Sequence, residues 1–322
     1  MRNRPTDNEN ERGAVLLTTL LLMTIMAAIT VSIVDNIRFS IRRTANLQMQ
    51  AQLDWYARGG EAFSQNLLKT YSGQQSKLAQ MIVAQVPVEF PFEDGGIRIL
   101  IHDANNCFNL NTLADEKNAQ QNRKNFERLL GVLDFDASDA TKLSSSIQDW
   151  VDTDNIPGPA GAESLEYSNI SPPYKAANRL MIDVSELRAI AGISEVIYQR
   201  LAPFVCSYDN TDLPRLNLNT LKPEQAPLLA NVLGGAEGLV AAKEVIAGRP
   251  LAGYGSVDQV WNMQSIQDLE LKGSGKGQVT VTSDMVRLDI IVQYQDQVRK
   301  QVSTFEIGGV NDARLVSRRR VY

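Results

Sequence analysis

Residues 14–34 read AVLLTTLLLMTIMAAITVSIV, an uncharged and mostly apolar run of 21 residues that follows directly on Arg12-Gly13. At about 1.5 Å of rise per residue, a helix of this length measures about 30 Å, the thickness of the hydrocarbon core of a bilayer. The run therefore predicts a single membrane-spanning helix. A cleaved secretory signal is the less favoured interpretation. The apolar stretch of such a signal has about 7 to 15 residues, fewer than the run found here, and Met26-Ala27-Ala28 is a poor cleavage site.

Length and composition indicate folded units outside the membrane. The chain has 322 residues, of which 43% are hydrophobic, so it can bury real cores, and its length favours about two domains. The net charge of −5 argues against a broad basic surface for nucleic acid. The one concentrated basic run, Arg318-Arg319-Arg320, is predicted to be a solvated C-terminal tail.

The apolar helix is predicted to continue beyond the membrane, because no proline interrupts the chain up to Tyr71 and large apolar residues recur there. Two later segments read as parts of an antiparallel sheet. Residues 97–102 form one strand, and residues 286–294 alternate apolar with polar side chains as a half-buried strand does. Residues 298–307 can return beside that strand through the polar link 295–297.

A repeat separates these two pieces of the sheet. The sequence Asn-Leu-Asn-Thr-Leu occurs at 109–113 and again at 217–221. Each copy is followed by apolar residues at helical spacing, which are Phe126, Leu129, Leu130 and Leu133 after the first copy and Ala226, Leu229, Ala230 and Leu233 after the second. The repeat predicts two related helical modules.

Helix boundaries can be predicted within these modules. Asp183 with Glu186, and Ser256 with Gln259, have the spacing of an N-capping residue and its partner. Gly248 suits the end of a helix over roughly 236–247.

The start of the chain resembles the class III signal of type IV pilins and type II secretion pseudopilins, because a polar leader ends in Arg12-Gly13 and the apolar helix begins at the next residue. The resemblance implies cleavage by prepilin peptidase after Gly13 and a mature, N-methylated first residue at Ala14. Most members carry glutamate at the fifth mature position, where this chain has Thr18. Because it lacks this glutamate and has two helical modules, the chain resembles the K-type minor pseudopilin family.

The resemblance implies an α+β fold, in which a pilin-like long N-terminal transmembrane helix packs on an antiparallel β-sheet and two SAM-like or helix-hairpin-helix-like units form a large all-α insertion. The corresponding ranges are a leader at 1–13, a transmembrane and assembly helix at 14–34, the pilin-like helix and first strands at 35–104, a first SAM-like helical domain at 105–211, a second at 212–272, and C-terminal strands with a basic tail at 273–322.

The resemblance also implies a structural role. K-type minor pseudopilins initiate and cap the pseudopilus tip with the I-type, J-type and H-type minor pseudopilins, on an inner-membrane assembly platform. The chain would then be a single-pass inner-membrane protein with a periplasmic C-terminal domain, and secreted substrates or the outer-membrane secretin are further candidate partners.

Two alternatives stay open. One is a minor tip pilin of an adhesive type IV pilus, and the other is a periplasmic DNA-binding protein, because residues 191–194 resemble a helix-hairpin-helix turn.

Enzymatic interpretations find little support. His102 is the one histidine and lies in a predicted strand, where a structural role is the simpler interpretation. The glycine-rich stretch 273–277 lacks the Ser or Thr after lysine that a phosphate-binding loop needs, so it reads as a linker. We expect no catalytic site.

An acidic segment after Trp150 is a candidate calcium site. Calcium prefers six to eight oxygen ligands, and the candidate ligands are Asp149, Asp152, Asp154 and Glu163. The segment is not an EF-hand, because Ile156 and Pro157 occupy positions that need an oxygen ligand and glycine. A helix end followed by a solvated polar loop is the alternative. The resemblance favours calcium, since K-type minor pseudopilins can carry it in the helical region.

Two cysteines, Cys107 and Cys206, bracket the first helical module. In a periplasmic compartment a disulfide between them can form and persist. Closing a loop of about 100 residues would stabilise the fold by up to about 4.7 kcal/mol. We expect this bond, with two buried thiols as the alternative.

Overall fold

The computed structural model describes residues 9–269, 271 and 275–321. The chain divides into two compact units, Met1–Arg58 and Gly59–Tyr322, which are described separately below. The predicted leader lies partly outside the described residues, since its first eight positions are not among them.

The first unit is helical throughout its described part and belongs to helix α1, Glu9–Ser72. Among the described residues, this helix is the one that is long and apolar enough to cross a membrane, with a mean hydropathy of 2.4 in a window of which nothing is buried. The predicted apolar span is therefore confirmed as a candidate transmembrane helix by length and composition.

Shorter helices and strands make up the second unit. In chain order they are α2 Gln75–Ala84, β1 Val88–Phe92, β2 Gly95–Asp103, β3 Phe108–Asn109, α3 Ala119–Val132, α4 Ala137–Val151, α5 Ser164–Ser168, α6 Glu195–Leu201, β4 Val205–Cys206, β5 Leu216–Asn217, α7 Ala226–Val232, α8 Leu239–Ala247, α9 Val257–Trp261, α10 Gln264–Gln267, β6 Val279–Thr280, β7 Met285–Tyr294, β8 Gln297–Gly309 and β9 Asp312–Val321.

Five of these strands form an antiparallel sheet in the order β1-β2-β7-β8-β9. The predicted strand at 97–102 lies within β2, and the predicted hairpin joins β7 to β8. The turn of that hairpin holds Gln295 at a φ of 51°, so glutamine adopts the left-handed conformation that glycine usually takes in such a turn.

The part of α1 that belongs to the second unit, residues 59–72, packs on one face of this sheet. A Cβ atom at Gly60 of α1 would lie 3.1 Å from the Ile97 side chain and 3.5 Å from Ile290, so glycine permits a close approach of helix to sheet. The rings of Phe63 and Phe90 meet edge to face with their centroids 4.6 Å apart.

The prediction of a solvated basic tail is wrong, because Arg318, Arg319 and Arg320 lie in strand β9. Successive side chains of a strand point to opposite faces. Arg318 forms an ion pair with Glu61 of α1, and Arg319 forms one with Asp183 of the helical region. Charge pairing on both faces of the sheet, invisible in the local sequence, is what makes an arginine run compatible with a strand.

The region between β2 and β7 contains the two predicted helical modules, here called the first module (residues 105–211) and the second module (residues 212–282). A short parallel pairing closes each one, β3 with β4 in the first and β5 with β6 in the second. Strand β6, which pairs with β5, lies beyond residue 272, where the second module is predicted to end, and the domain boundaries stay a prediction. The two modules share one continuous apolar core.

The repeated apolar patterns occupy equivalent helices. Phe126, Leu129 and Leu130 of α3 are fully buried, as are Leu229 and Ala230 of α7. These two helices pack against each other, and the Arg128 guanidinium donates a hydrogen bond to the carbonyl of Asn231 at 3.1 Å. The α+β class and the helical insertion are confirmed, whereas the SAM-like character stays a prediction.

Predicted helix ends are mostly found in place. Asp183 and Glu186 form a reciprocal capping box on the 3-10 helix Val184–Ala189. The helix predicted over 236–247 is a 3-10 turn, Ala236–Gly238, followed by α8, and it ends at Gly248. Ser256 occupies the N-cap position of α9 as predicted, but its side chain makes no capping bond. The side-chain oxygen Oε1 of Gln259 accepts from the Gly255 N–H instead.

Candidate functional site

The threonine hydroxyls of the apolar segment donate hydrogen bonds to backbone carbonyls of the same helix. Thr18 donates its hydroxyl to the carbonyl of Val15 at 2.9 Å, and Thr19, Thr24 and Thr30 donate in the same way to carbonyls one turn earlier. Helices in a lipid or apolar environment commonly satisfy hydroxyl groups in this manner. Gly13 and Ala14 lie inside α1, and Thr18 offers no carboxylate beside them.

A buried carboxylate further along α1 was missed by the sequence analysis. Glu61 accepts hydrogen bonds from Arg318 Nε at 2.8 Å, from Gln301 Nε2 at 2.9 Å and from Ser303 Oγ at 2.6 Å. Only 7% of Glu61 is exposed, and its hydrogen bond raises the pKa of the Arg318 guanidinium. Charge-assisted bonds of this kind are about twice as strong as neutral ones. Glu61 therefore fixes the helix on strands β8 and β9.

The first Asn-Leu-Asn-Thr-Leu motif ties the beginning of its module to the end. The Asn109 amide donates to the carbonyls of Asn210 and Asp212, at 2.9 and 3.0 Å. The Asn111 amide donates to the carbonyls of Met181 and Tyr208, and its oxygen accepts from the Met181 N–H at 2.8 Å. Both asparagines are fully buried, so each amide satisfies backbone groups that would otherwise lack partners.

The second motif repeats this arrangement with different partners. The Asn219 amide donates to the carbonyls of Tyr254 and Val281, both at 3.0 Å, and its oxygen accepts from the Tyr254 N–H at 2.6 Å. Asn217 donates instead to Asp103 Oδ2 at 2.8 Å and to Ser283 Oγ at 2.9 Å. The repeat is therefore a structural device that staples each module closed through asparagine side chains.

The first module has a covalent closure in addition. Cys107 and Cys206 are joined in the structure by a disulfide, with their Cα atoms 5.7 Å apart, and no described cysteine is free. The parallel pairing of β3 with β4 places Cys206 opposite Asn109. At the equivalent place in the second module, Thr280 lies opposite Asn217. The bond thus clamps the module where the chain enters and leaves it.

The second module is joined to the sheet by a buried carboxylate that the sequence analysis also missed. Asp103, at the end of β2, accepts from Ser283 Oγ at 2.6 Å, from Thr220 Oγ1 at 2.7 Å and from the Asn217 amide. Burial raises the pKa of Asp103, although these donors oppose the shift. No local sequence pattern signals this contact, because all three donors lie more than 100 positions along the chain.

The structure brings together three of the four candidate calcium ligands. Carboxylate oxygens of Asp152, Asp154 and Glu163 all lie within 4.8 Å of one another. Burial, followed by the negative charges of Asp154, Asp149 and Glu163, raises the pKa of Asp152 to about 7. Burial likewise raises the pKa of Glu163. Carboxylates that repel one another in this way are destabilising unless a cation neutralises them.

Asp149 supports the loop. Both of its carboxylate oxygens accept from the Gly158 N–H at 3.1 Å, and burial raises its pKa. A Cβ atom at Gly161 would lie 1.9 Å from Asp149 Oδ2, so the loop closes over this carboxylate only because residue 161 is glycine.

The donor set fits a hard divalent cation. Oδ1 of Asp152 and Oε1 of Glu163 are buried and have no hydrogen-bond donor within the described residues. A buried oxygen without a partner is costly, and two such atoms beside a third carboxylate are the ligands that calcium prefers.

His102 has a structural environment. Its Nε2 lies 3.1 Å from Asp289 Oδ2, and the Arg287 Nε lies 3.1 Å from the other oxygen of that carboxylate. Although burial alone would raise the pKa of Asp289, the contact with His102 and the charge of Arg287 lower it overall. Both cysteines are in the disulfide, so neither is available as a nucleophile for this histidine.

Two family descriptions match the helical region, and both read "Type II secretion system (T2SS), protein K". The first covers residues 106–210 and the second covers residues 216–282. The matched ranges coincide with the first and second modules almost residue for residue.

Curated relatives match over most of the chain. Type II secretion system protein K of Klebsiella pneumoniae is 35% identical over 81% of this chain and 82% of its own length. The protein of the same name from Aeromonas hydrophila is 35% identical over 75% and 77%, and that from Pectobacterium carotovorum subsp. carotovorum is 30% identical over 93% of both chains.

A solved structure has a similar fold. A chain in the crystal structure of the GspK-GspI-GspJ complex from the type 2 secretion system of enterotoxigenic Escherichia coli superposes with a TM-score of 0.72 at 25% identity. The match covers 87% of this chain and 99% of that one.

Proposed function

Because this chain belongs to the type II secretion system protein K family, and is therefore a minor pseudopilin, we propose that it initiates the pseudopilus and caps its tip. The observation that carries this proposal is the combination of Thr18 with the helical insertion. Thr18 stands where a carboxylate would be needed to pair with the ammonium group of a further subunit at the tip. The helical insertion adds bulk that would block that subunit sterically.

The electrostatic part of the proposal follows from the cost of a lone charge. A mature pseudopilin begins with an ammonium group, and a charge among packed apolar helices is expensive unless it is paired. At the fifth mature position this chain has a hydroxyl that already donates to the Val15 carbonyl. A subunit arriving above this chain would therefore find no anion for its ammonium group.

Processing and location belong to the same proposal. We expect prepilin peptidase to cleave between Gly13 and Ala14 and Ala14 to be N-methylated. The mature chain would sit in the inner membrane with a single span and its folded unit in the periplasm. Sequencing of the mature N-terminus with and without the peptidase tests this, and a start at any residue other than Ala14 contradicts it.

The proposed partners are other pseudopilins. The I-type and J-type minor pseudopilins are supported by the GspK-GspI-GspJ complex of the structural relative. The H-type minor pseudopilin, the inner-membrane assembly platform, and at the tip a secreted substrate or the outer-membrane secretin are further proposed contacts. A catalytic role forms no part of the proposal.

We also propose that Asp152, Asp154 and Glu163 hold a calcium ion, with Asp149 keeping the loop in place behind them. The support is the 4.8 Å cluster and the two buried oxygens without a donor. The cation would neutralise three carboxylates that lie too close to be ionised together at low cost.

A secretion assay, combined with measurement of the length and number of pseudopili, tests the capping proposal. In a strain lacking the native gene, we expect the wild-type chain to restore export of folded enzymes and the Thr18→Val variant to do the same. Thr18→Glu restores the family carboxylate, so it should permit subunits above the chain and lengthen the pseudopili. Pseudopili of wild-type length and number with Thr18→Glu would contradict the electrostatic part of the proposal.

A further inference from the structure

A short segment directly after the apolar run mixes basic with large apolar side chains. Residues 35–43, here called the juxtamembrane segment, read DNIRFSIRR and continue α1 without a break. The segment holds three arginines, Arg38, Arg42 and Arg43, against one carboxylate, Asp35, in a chain whose net charge is −5. It is therefore locally basic, and it takes no part in the contacts described above.

The charges of these three arginines are unpaired. All three side chains are exposed, and within the described residues none of them forms an ion pair or a hydrogen bond. Asp35, the nearest carboxylate along the chain, is likewise without an ion pair in that part of the structure. By contrast, Arg287, Arg318 and Arg319 of the sheet are each paired with a carboxylate. The juxtamembrane arginines can therefore bind an external anion without breaking an existing contact.

The apolar residues between the arginines favour a lipid surface over bulk water. Ile37, Phe39 and Ile41 are 53%, 67% and 62% exposed. Exposed apolar side chains of this size are unfavourable in water, whereas at the boundary of a membrane they contact lipid while long basic side chains reach the polar headgroups. The mixed composition of the segment thus fits the interface between lipid and water.

The position of the segment along the helix agrees with this environment. At about 1.5 Å per residue, Arg38 lies about 6 Å beyond Val34, the last residue of the apolar run, and Arg43 lies about 14 Å beyond it. The headgroup region extends about 5 to 8 Å beyond the hydrocarbon core. Helical side chains lean toward the N-terminus of their helix, which is the membrane side here, so the guanidinium groups are directed back toward the headgroups.

The chemistry of the arginines suits a phosphate group. Arg38 and Arg42 are four residues apart, so they lie on one face of the helix, and Arg43 flanks them. A guanidinium group is always charged and pairs with phosphate oxygens through two parallel hydrogen bonds. The three groups can therefore contact the phosphates of neighbouring lipids.

We propose that Arg38, Arg42 and Arg43 bind the phosphate groups of anionic phospholipids at the surface of the membrane. The inference rests on the proposed function in taking residues 14–34 to span a bilayer. The bound headgroups neutralise charges that the folded chain leaves unpaired, and they hold the helix at a fixed depth. Each arginine near an anionic surface contributes separately, so the preference for anionic lipid depends on how many of them are present.

Native mass spectrometry of the full-length protein, in a neutral detergent with added lipid, tests the proposal. The probes are phosphatidylglycerol, which is anionic, and phosphatidylcholine, which carries the same phosphate diester but no net charge. We expect the wild-type chain to bind phosphatidylglycerol at least about tenfold more tightly, because each arginine contributes about fivefold. The triple variant Arg38→Gln, Arg42→Gln, Arg43→Gln should retain a preference of no more than about twofold.

A second triple variant, which removes the same charge elsewhere, is the matched control. Arg58→Gln, Lys142→Gln and Lys243→Gln all replace exposed residues outside the juxtamembrane segment. Arg58 lies on the same helix about 36 Å beyond Val34, which is several Debye lengths at physiological salt. This control should keep the wild-type preference within about twofold. Glutamine is a good helix former, and unchanged melting temperatures of both variants exclude misfolding as the cause of a loss.

Three results would overturn the proposal. They are equal binding of the two lipids by the wild-type chain, an equal loss of preference in the two triple variants, and displacement of phosphatidylglycerol by millimolar inorganic phosphate, which would indicate a site for a free anion. Flotation with neutral phosphatidylcholine vesicles, measured on the same protein, tests the span itself. Failure to float would contradict the proposed membrane location and this inference with it, whereas flotation without a preference for phosphatidylglycerol would contradict this inference alone.

Discussion

The first and second modules begin with the same five residues and use them in the same way, yet the chain closes the two modules by different chemistry. In both, the second asparagine of the motif bonds to three backbone groups far along the chain. The first module adds a disulfide and the acidic cluster. The second has neither among the described residues and instead bonds to Asp103 of the sheet.

The comparison distinguishes what the two modules share, which is the asparagine motif, from the disulfide, the acidic cluster and the bonds to Asp103 that each has separately. The motif fixes how a module closes, because buried amides that satisfy backbone groups tolerate few alternatives. The additional closures differ in chemistry. We expect the first module to respond to redox conditions through its disulfide and to cations through its acidic cluster, whereas the second module is held on the sheet by hydrogen bonds to Asp103.

The largest expected effect is the loss of an asparagine staple. Asn111→Ala and Asn219→Ala each leave three backbone groups unpaired, of which two are buried, at about 1 to 3 kcal/mol per buried group. We therefore expect each variant to lose roughly 2 to 6 kcal/mol of unfolding free energy, measured by urea denaturation. Equal losses would confirm that the two motifs are equivalent.

An asparagine on the exposed surface provides the control for this pair. Asn66 is exposed on α1, and Asn66→Ala should change the unfolding free energy by no more than about 0.5 kcal/mol. A loss confined to one of the two staple variants would show that the modules share a sequence but not an energetic role.

Removal of the disulfide should have the next largest effect. The Cys107→Ser, Cys206→Ser double variant is expected to lose about 2 to 4 kcal/mol, because the unfolded chain regains the freedom that the cross-link removed. Intact mass with and without reductant, after thiol alkylation, establishes the bond first. Two alkylated cysteines in the untreated periplasmic protein would contradict the closure.

Calcium should stabilise the protein through the first module alone. At a free concentration one hundred times the dissociation constant, a bound cation adds about 2.7 kcal/mol. Asp154→Asn should abolish the calcium-dependent rise in melting temperature. Glu237→Gln removes an exposed charge from the second module and should leave the rise intact. An equal rise in wild type and Asp154→Asn would place the cation elsewhere.

The pH dependence of the second module depends on Asp103. Burial raises its pKa above the ordinary value of 3.8, so between the pKa of the unfolded state and that of the folded state, the folded chain holds a proton that the unfolded chain has lost. The unfolding free energy contributed by this group therefore falls as pH rises above about 4. Asp103→Asn should remove that slope and cost about 1 to 3 kcal/mol through mismatched hydrogen bonds. A slope unchanged in the variant would assign it to another group.

Sequence periodicity predicted the elements well wherever a local pattern determines the structure. The apolar run, the β7–β8 hairpin and the helices after each motif all follow from alternation or helical spacing. The acidic segment predicted three residues that the fold brings together, because Asp152, Asp154 and Glu163 belong to one loop.

Contacts between distant segments were not predictable in this way. Arg318 became part of a strand because Glu61, 257 positions away, neutralises it. Asp103 gained its partners from Thr220 and Ser283, which lie 117 and 180 positions along the chain. A buried carboxylate has no local signature when the donors that offset the cost of its burial come from two distant segments of the chain.

Immunogold labelling of sheared pseudopili tests whether the chain initiates the pseudopilus and caps its tip. With a tagged wild-type chain, we expect a single label at one end of each pseudopilus and few pseudopili when the chain is absent. Label spaced along the filament, or normal numbers of pseudopili without the chain, would contradict its role as initiator and cap of the tip.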